Sequence, residues 1–169
     1  MIVSGCSKES PVGPDLTGSD AGKSLAKQTR YAVTFQGDEG VAYIVDQGTQ
    51  WVDEKGILHI RNQVRKDGPL TGQLEGYDRH NVFNADIDLA TMSGPFVGTF
   101  VMEVEWTERG LKGTFSGGYK GYITNGNLAG TTSGLGEGDF AGMVLRCDQK
   151  ESSPGSLNLI FTGTITDHN

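Results

Sequence analysis

The chain has 169 residues, 36% of them apolar, with a formal net charge of −7 and an isoelectric point near 4.9. That length supports one domain with a substantial core, and the acidic balance argues against general affinity for nucleic acid or anionic headgroups, whose phosphates the protein's field repels. No apolar run approaches the ~20 residues needed for a membrane-spanning helix.

In chain order, the first feature is Val3-Ser4-Gly5-Cys6, which has the form of a bacterial lipobox, where small residues precede a cysteine that becomes lipid-modified. Residues 7–28 that follow are rich in Ser, Gly, Lys and Asp, contain Pro11 and Pro14, and show no apolar periodicity, as a tether would. Residues 1–29 are therefore expected to be a flexible tether with Cys6 as lipid attachment site, and residues 30–169 the folded domain. Only five residues precede Cys6, too few for a secretory signal. Two readings stay open: a lipoprotein whose signal is missing from this sequence, or a chance match in a cytosolic protein. The polar linker favours the first, an extracytoplasmic protein held to the membrane through its lipid alone.

From Arg30 onward short alternating runs separated by turn residues predict an all-β domain, with no helical spacing sustained over three turns. The predicted strands are 31–36, 41–45, 50–52, 57–65, 70–77, 82–89, 96–106, 111–116, 119–124, 128–132, 139–146 and 157–166, some of them merging. Turns are expected at Asp53-Glu-Lys-Gly56, Lys66-Asp-Gly68, Glu108-Arg-Gly110, Asn125-Gly126 and Ser153-Pro-Gly155. A turn at Glu108-Arg109 that pairs Trp106 with Leu111 sets Val104 opposite Gly113, Met102 opposite Phe115 and Glu105 opposite Lys112, so both faces make chemical sense. In 82–89, Phe83, Ala85, Ile87 and Leu89 share one face and Asn84, Asp86 and Asp88 the other.

A five-residue unit, Gly-x-(Leu/Phe/Tyr)-x-Gly, recurs six times between Gly68 and Gly142, centred on Leu70, Leu74, Phe96, Tyr119, Leu128 and Phe140. On a strand it sets one bulky group between two bare positions of the same face, which suits a sharply curved sheet. The expected fold is a single glycine-rich antiparallel β-barrel of about eight strands, with room for side chains or one small ligand.

Gly134-Leu-Gly-Glu-Gly-Asp-Phe-Ala-Gly142 and Phe161-Thr-Gly-Thr-Ile165 resemble the barrel of plant allene oxide cyclases and dirigent proteins. Gly56-Ile-Leu-His-Ile-Arg61 and Gly72-Gln-Leu-Glu-Gly76 are similar to prokaryotic proteins of unknown function associated with the same group. The resemblance spans roughly residues 31–165 and implies an eight-stranded barrel, often oligomeric in those families, with a hydrophobic cavity. None of the families' functional residues maps onto this chain, so their activity does not carry over.

The residues weighed as ligand-lining are Trp51, Tyr77, Trp106 and Tyr119, amphipathic rings suited to a cavity mouth, with His59 and Arg61 on one strand face as anion-binding or proton-transfer candidates. Core packing and a solvent-facing strand explain the same residues at least as well. Asn84, Asp86 and Asp88 with Glu103 and Glu105 would form a calcium site only if the two rows were adjacent; a solvated acidic face is the better reading. His80 and His168 read as surface histidines, in a turn and at the terminus. Cys147 reads as a small buried hydrophobe. Gly22-Lys-Ser24 lacks the first glycine of a phosphate loop, and no catalytic motif is present. The expected function is binding of a small hydrophobic molecule or a protein partner, with no cofactor or metal and homo-oligomers compatible. The alternative is a cyclase or isomerase that holds a reactive substrate in the barrel.

Overall fold

The computed structural model describes residues 28–168, which form eleven strands. They are β1 (Thr29–Asp38), β2 (Tyr43–Asp46), β3 (Thr49–Val52), β4 (Ile57–Lys66), β5 (Gly68–Gly72), β6 (Glu75–Asp88), β7 (Gly94–Trp106), β8 (Leu111–Thr124), β9 (Asn127–Gly138), β10 (Met143–Glu151) and β11 (Asn158–Asp167). All pairings between them are antiparallel. β1 pairs with β5, β5 with β6, each strand from β6 to β11 with the next, and β11 again with β1. Eight strands thus form a closed, barrel-like ring, the all-β architecture expected.

The expected register of the 106–111 hairpin is observed at all four pairs. Its loop is a single 3₁₀ turn, Thr107–Arg109, ended by Gly110 at φ 63°. Asn125 and Gly126, at φ 50° and 80°, form the two-residue connection between β8 and β9; two positive φ values are what a type I′ hairpin turn requires. Three expectations need correction. The two segments 111–116 and 119–124 form one strand, because Gly117 and Gly118 stay extended in the ladder. Segment 70–77 is broken at Gln73 and Leu74, where Gly72 turns at φ 111°. Segment 139–146 begins as a turn, so β10 starts only at Met143.

The glycine units account for the tight ring. Across the β7–β8 ladder three inward rings face a glycine: Phe96 pairs with Gly121, Tyr119 with Gly98 and Phe100 with Gly117. A β-carbon on Gly98 would collide with the Tyr119 phenol, and one on Gly121 with the Phe96 ring. The rings therefore lie flat across space that a side chain would take, which keeps small strands well packed. Four of the six unit centres, Leu70, Phe96, Tyr119 and Leu128, are on strands. Leu74 and Phe140 lie in connections, are fully buried, and close one end of the ring.

That end is solid. Val33, Leu74, Val104, Trp106, Phe115, Phe140, Leu145 and Ile165 fill it, each at most 2% exposed. Phe115 meets Phe140 at 4.7 Å between centroids, and Tyr31 meets Trp106 edge-on at 5.8 Å, with the Arg109 guanidinium 3.8 Å from the Tyr31 ring centre. At the other end the interior is not filled. There β4 replaces β5 as the neighbour of β6 and carries β2 and β3 on its far edge. Among the described residues no ladder joins β4 to β1, so the ring has a seam at this end.

Candidate functional site

The unfilled end encloses a cavity of about 260 Å³. Its apolar wall includes Ile60, Phe83, Ile87, Phe100, Met102, Ile123, Leu128, Leu159 and Phe161, and it reaches a rim that includes Gly126 and Gly155. This is slightly below the ~300 Å³ at which ligand pockets usually begin, so the space suits a small molecule. At ~30 Å³ per water it would hold about nine water-sized volumes.

One side of the cavity, beside the seam, is polar: Glu39 just beyond β1, Gln63 and Arg65 of β4, Asp78 and Asn81 of β6, and the Tyr119 hydroxyl. Two bulges aim this group inward. In β4, Arg61 and Asn62 stand opposite a single β6 residue between the Ile60–Ala85 and Gln63–Phe83 pairs, with Asn62 at φ 55° and its N–H donating to Asn84 Oδ1 at 2.9 Å. In β6, Arg79 is the extra residue between the Asp78–Met102 and His80–Val101 pairs. Each bulge reverses the in-and-out alternation for the rest of its strand, and bulges commonly re-aim side chains beside functional sites. Asp78 as well as Asn81, and Ile60 as well as Gln63, therefore face the interior.

The hydrogen bonds are organised around Asn81. Its Nδ2 donates to Asp78 Oδ2 at 2.9 Å, and its Oδ1 accepts from the Tyr119 hydroxyl at 2.6 Å, which also lies 3.0 Å from the Val82 carbonyl. Arg65 Nε donates to Gln63 Oε1 at 3.2 Å, and its Nη1 to the Glu39 backbone carbonyl at 3.3 Å. Deeper in, Thr132 Oγ1 donates to Gln149 Oε1 at 2.6 Å. Asp78 is 2% exposed, and its Oδ1 makes no hydrogen bond of normal geometry, although the backbone N–H groups of His80 and Val101 lie close to the carboxyl. An unpaired buried acceptor costs about 1–3 kcal/mol.

Burial pushes the Glu39 carboxyl up to about 8, helped by the neighbouring Asp78 and opposed by Arg65. Asp78 is raised to about 6, again mainly by burial, with the Asn81 amide and the backbone N–H groups of His80 and Val101 holding it down. Burial also raises the Tyr119 phenol well above its ordinary value, as do Glu39 and Asp78, so it remains a neutral donor. Two carboxyls that exchange protons near neutrality, facing an apolar cavity, are the kind of group that binding and catalytic sites contain.

Of the residues weighed from sequence, Tyr119 lines the cavity. Trp106 points inward but belongs to the solid end. Trp51, Tyr77, His59 and Arg61 are on the outer surface. There the His59 ring stacks on Trp51 at 4.6 Å, with Nδ1 2.5 Å from Asp86 Oδ1 and Nε2 3.4 Å from Asp53 Oδ2. Arg61 donates to Asp86 at 2.6 Å and to the Ala85 carbonyl at 2.8 Å. This network ties β3 and β4 to β6 and holds the Asp86 carboxyl below its ordinary range, chiefly through Arg61. Tyr77 stacks under Arg79, which bridges Asp67 and Glu103.

The two acidic rows are not adjacent: Glu103 pairs with Tyr77 and Glu105 with Glu75, whereas Asn84 pairs with Val97. His80 lies within β6 rather than in a turn, carried there by the bulge, and His168 is exposed beyond β11. Cys147 is buried, which pushes its thiol up to about 12 and leaves it unreactive. Cys6 and nearly all of the expected tether lie outside the described residues. No protein-family model, curated protein or solved structure matches the chain.

Proposed function

We propose that the protein binds a small, largely apolar molecule in the open half of the ring, and that it does so as an extracytoplasmic domain anchored through Cys6. The observation that carries the ligand reading is the cavity itself. One end of the ring is packed solid, while the other keeps about 260 Å³ lined by aliphatic and aromatic side chains with a polar cluster on one wall. A few polar groups in an apolar recess orient a ligand, and the apolar wall supplies affinity. Support for the anchor comes from the lipobox-like residues 3–6 and the polar linker after them.

The cyclase or isomerase alternative has one observation in its favour: Glu39 and Asp78 are protonatable near neutrality and face the cavity. Such groups suit general acid–base chemistry. A protein-partner reading draws on β2 and β3, a free sheet edge with Tyr43, Val45, Trp51 and Val52 exposed.

Native mass spectrometry after incubation with a lipid and metabolite extract tests the ligand reading. A discrete added mass that survives desalting, and that Phe83→Trp removes by filling the cavity, supports it. Absence of any added mass counts against both ligand and substrate. Membrane fractionation of wild type and Cys6→Ser, each expressed behind an added secretory signal in a bacterial host, tests the anchor, which predicts release of the variant to the soluble fraction.

A further inference from the structure

Resting on the cavity reading, we infer that the ligand is uncharged and presents a carbonyl oxygen, as a ketone or an ester does, to the side-chain amides of Gln63 and Gln149, with its apolar body against Phe83, Met102 and Phe161. Gln63 of β4 and Gln149 of β10 both line the cavity and are only 6% and 4% exposed. In each, the oxygen is taken and the nitrogen is not. Gln63 Oε1 accepts from Arg65 Nε at 3.2 Å, and a guanidinium has donors only, so it fixes which end of that amide is oxygen. Gln149 Oε1 accepts from Thr132 Oγ1 at 2.6 Å; the opposite orientation of the amide would strand the hydroxyl proton of Thr132, itself 3% exposed. Among the described residues neither Nε2 meets an acceptor, although each carries two N–H donors. Asp78 Oδ1 is sealed off, whereas both nitrogens keep accessible surface in side chains that face the cavity.

The acceptors of the polar wall are already engaged. Asn81 Oδ1 accepts from Tyr119, Asp78 Oδ2 accepts from Asn81, and at the rim the two oxygens of Glu151 accept the backbone N–H groups of Leu128 and Leu157, both at 2.9 Å. A buried N–H without a partner is costly, so an oxygen that reaches it gains more than it would at an exposed site. The charges lead to the same head group. Burial pushes the Glu39 carboxyl up to about 8, which keeps it mostly protonated at pH 7, and Arg65 then balances the Asp78 carboxylate. Behind the rim carboxyl of Glu151 an ionic head would therefore lose its hydration without a counter-charge. A carbonyl oxygen accepts N–H groups and asks for no acceptor in return. A hydroxyl brings a proton that must be placed, and an ammonium brings donors alone.

Isothermal titration of the full chain at pH 7 with acetophenone, 1-phenylethanol and 1-phenylethylamine tests this, because the three probes share a body of about nine heavy atoms, which suits the volume, and differ in head group. The ketone is expected to bind at least about tenfold tighter than the amine and about threefold tighter than the alcohol. Gln63→Glu keeps the oxygen that Arg65 uses and removes the N–H donors. In that variant the ketone should weaken by at least about tenfold while the amine gains, and binding of the amine reports that the variant is folded. Thr132→Val combined with Gln149→Met removes the second amide together with its partner and should narrow the lead of the ketone over the amine, with circular dichroism as the check on folding. Should Gln63→Glu fail to fold, the double variant decides alone. If the alcohol or the amine binds wild type as tightly as the ketone, or if the lead of the ketone survives in every folded variant, the carbonyl inference is wrong and the cavity reading stands. If none of the three probes binds, both fail.

Discussion

A β-carbon placed on Gly134 would stand 2.8 Å from Cζ of Phe100, so the ring occupies the space that this position leaves empty. The nearest backbone atom to that β-carbon, Ser116 O, is at 3.2 Å, so the conflict is chiefly with the side chain. Gly134→Ala should therefore destabilise the fold by about 1–3 kcal/mol through overpacking. Combined with Phe100→Leu it should cost less than the sum of the two single changes, because residues in contact couple. Urea denaturation of the three variants measures this directly, and strict additivity would refute the account.

Phe140 is fully buried in a turn and packs against Phe115 with the rings tilted by 36°. If it closes the solid end of the ring, Phe140→Ala should cost about 3–5 kcal/mol. The same substitution should leave the cavity at the far end intact, so ligand binding measured on the folded fraction should be unchanged.

Stability should fall as pH rises toward 8. Glu39 has a folded-state value of about 8 against an ordinary 4.5, and Asp78 about 6 against 3.8. Between those limits the native state holds more protons than the unfolded chain. The contribution is complete below the ordinary values and is lost as pH passes through the raised ones. Thermal melts of wild type should show a lower Tm at pH 8 than at pH 5. Glu39→Gln should flatten most of that decline.

Asp86 acts in the opposite direction. Arg61 and His59 hold it below its ordinary 3.8, so its contribution is present above that value and is lost as pH falls through the lowered one. The pair is more than a third exposed, which limits its worth to about 0.5–1 kcal/mol. Asp86→Asn should lower Tm slightly at pH 5 and have a smaller effect at pH 2.5.

The hairpin from Trp106 to Leu111 was legible because both faces of its ladder had to make sense at once, and only one register pairs Val104 with Gly113 while matching Glu105 to Lys112. The alternation of Phe83, Ala85 and Ile87 was equally plain, since all three turn inward. The polar wall was hidden by the two bulges. Counting back by twos from Phe83 places Arg79 inside and Asp78 outside, but the extra residue at Arg79 reverses them. Likewise the step after Ile60 should bring in Asn62, yet the bulge brings in Gln63. A single unpaired residue changes the face of every side chain beyond it, and nothing in the composition marks where it falls. The positive φ of Asn62, a residue type that tolerates it, is a faint signal that could have been used. His59 and Arg61 were legible as sharing one strand face, but which face looked inward was not, and nothing in the sequence placed Trp51 beside them.

Thr29 pairs with Asp167 at the solid end, while the cavity reaches the rim around Gly126 and Gly155 at the other. Both ends of the described chain thus leave the ring on the side opposite the opening. A circular permutant that joins residues 29 and 167 by a short linker, and starts anew within an exposed turn, should keep every strand neighbour. A surface or carrier protein fused to either terminus would hold the domain like a cup by its base, with the opening turned to solution.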